Sequence, residues 1–277
     1  MKLLFYPQYP DKEYYSITHI INRLNYQVTR DLTASFDMAF LWSDVTELDC
    51  PAELLEAVGD KHIINRNCLD ISKKHVEQLQ YAVFGYGSFI DPLTHCGRCV
   101  EKPNANGVKG GRVINTPIEH CDESKVYQAL IDSTIGDYQQ EYRVPVIFGQ
   151  LPIVYLVQQT VACDKLDNRA QKPPKLLGTH TVFSYQEQIN ITKFCQLIGL
   201  DFGELDIVRC AQSQRLFILD ANKTPAGYGM LNYFLWQHQD KETALDTLTE
   251  TFDRAINKLL VNDSTCEFSN PIGAHNL

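Results

Sequence analysis

No stretch of this chain approaches the roughly 18 consecutive apolar residues that a membrane-spanning helix requires. Its opening segment, Met1-Lys2-Leu3-Leu4-Phe5-Tyr6-Pro7, turns polar too soon for the apolar centre of a secretory signal, so a cytoplasmic location is expected. Basic residues are in short supply. Against 34 Asp and Glu there are 25 Lys and Arg, a formal charge of −9, and that field argues against nucleic acid as the main partner. Repeats and low-complexity tracts are absent. Also missing are a Gly-x-Gly-x-x-Gly turn after the first apolar strand and a Walker A loop, which leaves a dinucleotide site there without support. No Ser-His-Asp or Cys-His arrangement is marked out.

What remains is a folded chain of 277 residues, 44% hydrophobic and 21% charged, with 15 Gly and 12 Pro, enough for one large or two modest domains. Its 9 cysteines are an odd count, several lie in apolar segments, and reduced thiols are the better reading. His95-Cys96-x-x-Cys99 with His120-Cys121 superficially resembles a zinc site. The second pair, however, consists of adjacent residues, whose side chains diverge on a strand.

Along the chain, Lys2 to Pro7 reads as a strand, Tyr14 to Leu24 as a helix, Met38 to Trp42 as a strand, Pro51 to Val58 as a helix and His62 to Asn65 as a strand. From about residue 68 the pattern turns to strands with hairpin-like loops: Cys99 to Lys102, a Gly- and Asn-rich loop from Pro103 to Arg112, Val113-Ile114, Val126 to Ile131, Tyr142 to Phe148 and Leu151 to Val157. Gly149-Gln150 reads as a tight hairpin, and residues 163–180 as a long polar loop. Ser184-Tyr185-Gln186-Glu187 is a capping box opening a helix with an apolar stripe of Ile191, Phe194, Leu197 and Ile198, stopped by Gly199. A last helix spans Lys241 to Leu260.

The segments around Asp206 and Asp220 read as a hairpin. With residues 211–215 as its loop, Asp206 lies opposite Asp220 on one face, where two carboxylates repel each other unless a cation bridges them. Asn222 adds a neutral oxygen on that face, and three protein oxygens around an open site suit Mg²⁺. A solvated carboxylate and a register one residue different is the alternative.

The run Ile198-Gly-Leu-Asp-Phe-Gly-Glu-Leu-Asp206, then Phe217-Ile-Leu-Asp220-Ala-Asn222-Lys-Thr-Pro225, resembles the carboxy-terminal metal-binding signature of the ATP-grasp superfamily, with Asp220 where Glu is usual. The resemblance extends over about residues 1–230. It implies an α/β (α+β) chain: a small Rossmann-like β/α domain over residues 1–66, then an ATP-grasp domain over 67–277 with two lobes, a hinge near 126–132 and a closing helix. By the same resemblance Asp206, Asp220 and Asn222 hold Mg²⁺, while Lys73 (in Asp70-Ile-Ser-Lys73-Lys74) and Lys102 (in Val100-Glu-Lys-Pro) meet ATP phosphates beneath a loop with Gly107, Gly110 and Gly111. The backbone of Tyr127, Gln128, Ala129 and Leu130 is implied to pair with adenine, Asp132 to meet ribose, Arg143 to contact the transferring group, and Arg169 to bind substrate or phosphoryl group. The family activity implied is that of a carboxylate–amine ligase using ATP and Mg²⁺ on small-molecule carboxylate and amine substrates, without nucleic acid or membrane, with a homodimer as one option. Alternatives within the fold are a kinase acting on a hydroxyl and a nucleotide-binding module without turnover; outside it stands an acidic α/β scaffold that binds no nucleotide.

Overall fold

A computed structural model describes residues 1–11, 15–108, 110–160, 172–226 and 238–266. The leading unit is a parallel sheet of β1 (Lys2–Pro7), β2 (Gln27–Thr29), β3 (Met38–Trp42) and β4 (Ile63–Ile64) in the order β2-β1-β3-β4, with α1 (Ser16–Leu24) and α2 (Ala52–Val58) between strands. A parallel sheet covered on both faces needs apolar residues at every position, and all five residues of β3 are buried. Alternation then divides them. Leu3, Phe5, Met38, Phe40 and Trp42 pack toward α1, whereas Leu4, Ala39 and Leu41 pack with Leu54 and Val58 of α2.

Residue 68 does not begin a run of strands. A helix, α3 (Lys73–Phe84), comes first, capped by Ser72, whose hydroxyl accepts from the His75 amide. Its apolar stripe is thin because one of its buried positions is Gln80, whose amide donates to the Leu216 carbonyl and accepts from the Ile218 N–H, closing the edge of a distant strand. The small antiparallel sheet follows: β5 (Gly97–Pro103), β6 (Arg112–Thr116) and β7 (Lys125–Ala129), ordered β6-β5-β7.

The large sheet contains β8 (Thr134–Ile135), β9 (Tyr138–Ile147), β10 (Val154–Thr160), β11 (Lys175–Leu177), β12 (Phe202–Arg209) and β13 (Leu216–Asn222). Its order is β11-β10-β9-β12-β13, with β8 paired to β9. One face, with Val144, Val146, Leu205, Ile207 and Ile218, packs beneath α3 and α5 (Tyr185–Ile198), which follows the single turn α4 (Thr179–Val182). The capping box of α5 is formed in both directions, and Gly199 ends the helix at φ 74°. The tight turn expected around Gly149-Gln150 is present: Ile147 and Gln150 exchange both backbone hydrogen bonds across Phe148 at φ 47° and Gly149 at φ 74°, while β10 itself starts at Val154 rather than Leu151.

The opposite face is apolar at one end and charged at the other. At the apolar end Ile147, Tyr155 and Phe202 join Phe40 and Trp42 of the leading unit and Leu248 and Phe252 of α6 (His238–Cys266), the closing helix. Phe202 touches Phe40 and Phe252 edge to face. The fully buried Asn65, at φ 61°, completes this junction. Its side chain accepts from the Asp201 and Phe202 amides at 2.8 and 2.9 Å and donates to the Phe202 carbonyl at 2.8 Å. Among the described residues no helix is long and apolar enough to cross a membrane.

Candidate active site

The charged end is built by strand register. Asp206 of β12 faces Arg143 of β9 on one side and Asp220 of β13 on the other, so the three side chains form a row across the sheet. The expected pairing of Asp206 with Asp220 is present, by a different route. The turn is closed by Cys210 and Arg215, which puts Arg209 opposite Leu216, and a bulge that leaves Leu219 without a partner restores the register at Asp220. One step further along, Glu204 faces Asn222. Gly203 permits that approach, since a Cβ there would lie 2.5 Å from the Asn222 carbonyl oxygen.

Four carboxylates therefore share this face with two cations. Arg143 lies 3.2 Å from Glu141, 3.5 Å from Glu204 and 3.6 Å from Asp206. Lys73 lies 3.2 Å from Asp220 and also donates to the Ala105 carbonyl at 3.0 Å. The balance is negative. Burial, and then the surrounding acids against the pull of Arg143, push Asp206 well above the usual carboxylate range, although 25% of its side-chain surface is exposed. Burial likewise pushes Glu204 up to about 7. Asp206 in turn, ahead of Glu141 and Glu204, holds the Arg143 proton more tightly than usual.

The donor chemistry fits a divalent cation. Among the described residues, Asp220 Oδ1 is buried without a hydrogen bond and its charge is met by Lys73 alone. Among the described residues no three His, Cys, Asp or Glu side chains already converge on a metal-sized point, and the expected set has two carboxylates and an amide. Asn222 Oδ1 accepts the Thr224 N–H at 3.0 Å, which leaves its second lone pair for another partner.

Of the two lysines at the head of α3, Lys73 enters the site; Lys74 reaches the Glu123 carbonyl instead. The foot of the glycine loop is fastened beside them: Asn104 accepts both amides that open α3, and Asn106 donates to the Ala221 carbonyl. Gly107 and Gly110 lie beyond, at φ 69° and 132°, followed by Gly111. Lys102 is on the small sheet, donating at 2.7 Å to Gln128, which is held by Ser88 and, behind it, Glu77. The Tyr127 carbonyl and Ala129 amide pair with the Ser88–Ile90 segment, and the Tyr127 hydroxyl accepts from Asp122. Leu130 and Asp132 follow, where the chain crosses between sheets; the Asp132 carboxylate accepts the Thr134 N–H and its carbonyl accepts the Ala211 N–H. Arg169 lies outside the described residues.

Sequence reasoning passed over Glu204, Asn106, Asp44 and Thr224. Only Glu204 had a signal, its place two residues before Asp206 on the same face of a strand.

No family model and no curated protein matches the sequence. Solved structures do. The ATP-grasp ligase PsnB, in complex with a minimal precursor, Mg and ADP, superposes with a TM-score of 0.58 at 14% identity, covering 91% of this chain and 96% of PsnB. D-alanine–D-alanine ligase from Bacillus anthracis, complexed with ATP, gives 0.57 at 11% identity, covering 96% and 98%. The macrocyclase MdnB from Microcystis aeruginosa MRC gives 0.50 at 13%, covering 91% and 98%. At such identities the likeness speaks for the fold, and that fold is ATP-grasp.

Proposed function

We propose that this ATP-grasp chain is an ATP- and magnesium-dependent ligase. It activates a carboxylate as an acyl phosphate, which an amine or similar nucleophile then displaces. The observation that carries the reading is the row Arg143–Asp206–Asp220, with Asn222 and Lys73 beside it, on a sheet face with four carboxylates and two cations. Asp206, Asp220 and Asn222 would hold magnesium, which when bound neutralises charge on phosphate oxygens.

The chain's own groups supply positioning and charge. Lys73 at the head of α3 and Lys102 on the small sheet approach the phosphates, and the backbone at Gly107, Gly110 and Gly111 can come close to phosphate oxygens with no Cβ in the way. With Tyr127 and Ala129 engaged by residues 88–90, adenine pairing falls to the backbone from Leu130 onward, toward Asp132. Arg143 offsets charge on the phosphoryl group in transfer. A substrate carboxylate oxygen attacks the γ-phosphorus, the bond to the β-phosphate oxygen breaks and ADP leaves. The nucleophile then bonds to the acyl carbon, loses a proton, and phosphate departs.

PsnB is complexed with a precursor, so the carboxylate here is to be sought on peptides as well as on free small molecules. Incubation with MgATP, hydroxylamine and a panel of both kinds of carboxylate tests the reading. Hydroxamate formation with release of ADP supports it, and a stable phosphorylated product without hydroxamate replaces it with a kinase.

A further inference from the structure

The turn after β13 is held from the leading unit by one charged side chain. Thr224, 4% exposed, donates its hydroxyl to Asp44 Oδ1 at 2.7 Å, while its backbone N–H donates to Asn222 Oδ1 at 3.0 Å. Asp44 follows β3, and its own N–H donates to Gln8 Oε1 at 2.8 Å, so its place is set by the ends of two central strands. The same turn is fastened elsewhere by Asn106 on the Ala221 carbonyl, by the fully buried Lys223 reaching the Cys68 carbonyl at 3.5 Å, and by the Ser16 amide on the Pro225 carbonyl at 3.1 Å.

A threonine hydroxyl has one proton to give. Thr224 Oγ1 also stands 3.5 Å from Asn222 Oδ1, so without Asp44 that proton can turn toward the amide oxygen and compete for the lone pair a cation would use. We infer that Asp44 is a positioning residue for Asn222: by taking the Thr224 hydroxyl proton in a hydrogen bond, it keeps the second lone pair of Asn222 Oδ1 open for magnesium. This rests on the reading of Asn222 as a metal ligand. Cohesion between the leading unit and the large sheet does not depend on the contact, because the aromatic junction at Phe202 and the Asn65 bonds provide it separately.

The test compares Asp44→Ala, Asp44→Asn, Thr224→Val and Thr224→Ser with Asp220→Asn and Asn222→Ala. The readouts are the Mg²⁺ concentration that half-saturates binding of a non-hydrolysable ATP analogue, Mn²⁺ affinity by electron paramagnetic resonance, and nucleotide affinity without metal. Losing an outer partner of a metal ligand costs about ten- to a hundredfold in metal affinity. Asp44→Ala is expected in that range, whereas Thr224→Val, which has no hydroxyl proton to turn toward Asn222, stays near the parent. Asp44→Asn and Thr224→Ser, which keep an acceptor and a hydroxyl, stay near the parent, and metal-free nucleotide affinity is unchanged. If Asp220→Asn and Asn222→Ala weaken metal binding while Asp44→Ala does not, or if Thr224→Val weakens it as much as Asp44→Ala, the positioning role is overturned. An equal loss of metal-free affinity overturns it too, since the contact is then merely structural. If none of the six variants weakens metal binding, the metal reading fails and takes this inference with it.

Discussion

The ammonium of Lys73 lies 3.2 Å from Asp220 Oδ1 and donates to the Ala105 carbonyl at 3.0 Å. One cation thus joins the foot of the glycine loop to β13, the strand that carries Asp220 and Asn222. Among the described residues, Lys73 is the one cation paired with the buried oxygen of Asp220. On the proposed reading the same ammonium meets the phosphates of ATP. Lys73→Met should lower kcat/KM for ATP on the order of 10²-fold. Lys74→Met, one residue along on the outer side, should leave it unchanged. Steady-state kinetics of the two variants, side by side, decide the assignment; equal losses would show that only local charge matters.

Beside the aromatic junction at Phe202, Asn65 and Gly199 join the leading unit to the large sheet. Asn65→Ala leaves the Asp201 and Phe202 amides and the Phe202 carbonyl inside the protein without partners, a loss on the order of 3 kcal/mol. Gly199→Ala is worse on two counts, a Cβ at φ 74° and its overlap with the Asn67 carbonyl group. Urea unfolding of both variants should show lower midpoints. A single sharp transition in the Asn65 variant would mean that the units still unfold together, and two separate steps that the amide had coupled them.

Much of this was legible in the sequence, for identifiable reasons. The five consecutive buried residues of β3 and the capping box at Ser184 are local signals, and the structure follows both. The Asp206–Asp220 pairing was reached by counting from a five-residue loop, whereas a shorter turn and the bulge at Leu219 compensate for each other. Helix α3 was obscured because Gln80 faces inward to finish a strand edge 136 residues away, a demand no local pattern encodes. Asp44 and Thr224 meet across 180 residues, so neither carried a mark of its partner.

The carboxylate of Glu187 links helix α5 to the active hairpin and gives a pH test. Burial works against its ionisation, but two hydrogen bonds from Arg209, with the Ser184 amide, outweigh it and hold its pKa below the ordinary 4.5. A folded pKa below the unfolded one stabilises above the unfolded value, and that stability is lost as pH falls through the folded value. Glu187→Gln should therefore cost about 1 kcal/mol at neutral pH, the scale of a helix cap. The gap to the parent should narrow once pH drops below 4.5 toward the folded value. A gap of constant size down through that range would mean that the charge contributes nothing.

The negative balance of the site makes an opposite-signed pair of effects. Asp206 faces Glu141, Glu204 and Asp220 as well as Arg143, and burial with those acids already disfavours its charge. Asp206→Asn relieves that repulsion, so without metal the variant should melt no lower than the parent. On the proposed reading the same change removes a magnesium ligand. A ligand present at a hundred times its Kd stabilises the folded state by about 2.7 kcal/mol, on the order of 5–10 °C for a chain of this size. Parent protein should gain a shift of that order from magnesium with a non-hydrolysable ATP analogue, and Asp206→Asn should gain far less. Loss of stability in the metal-free variant would show that Asp206 is held mainly by Arg143. An undiminished magnesium shift would remove Asp206 from the metal site altogether.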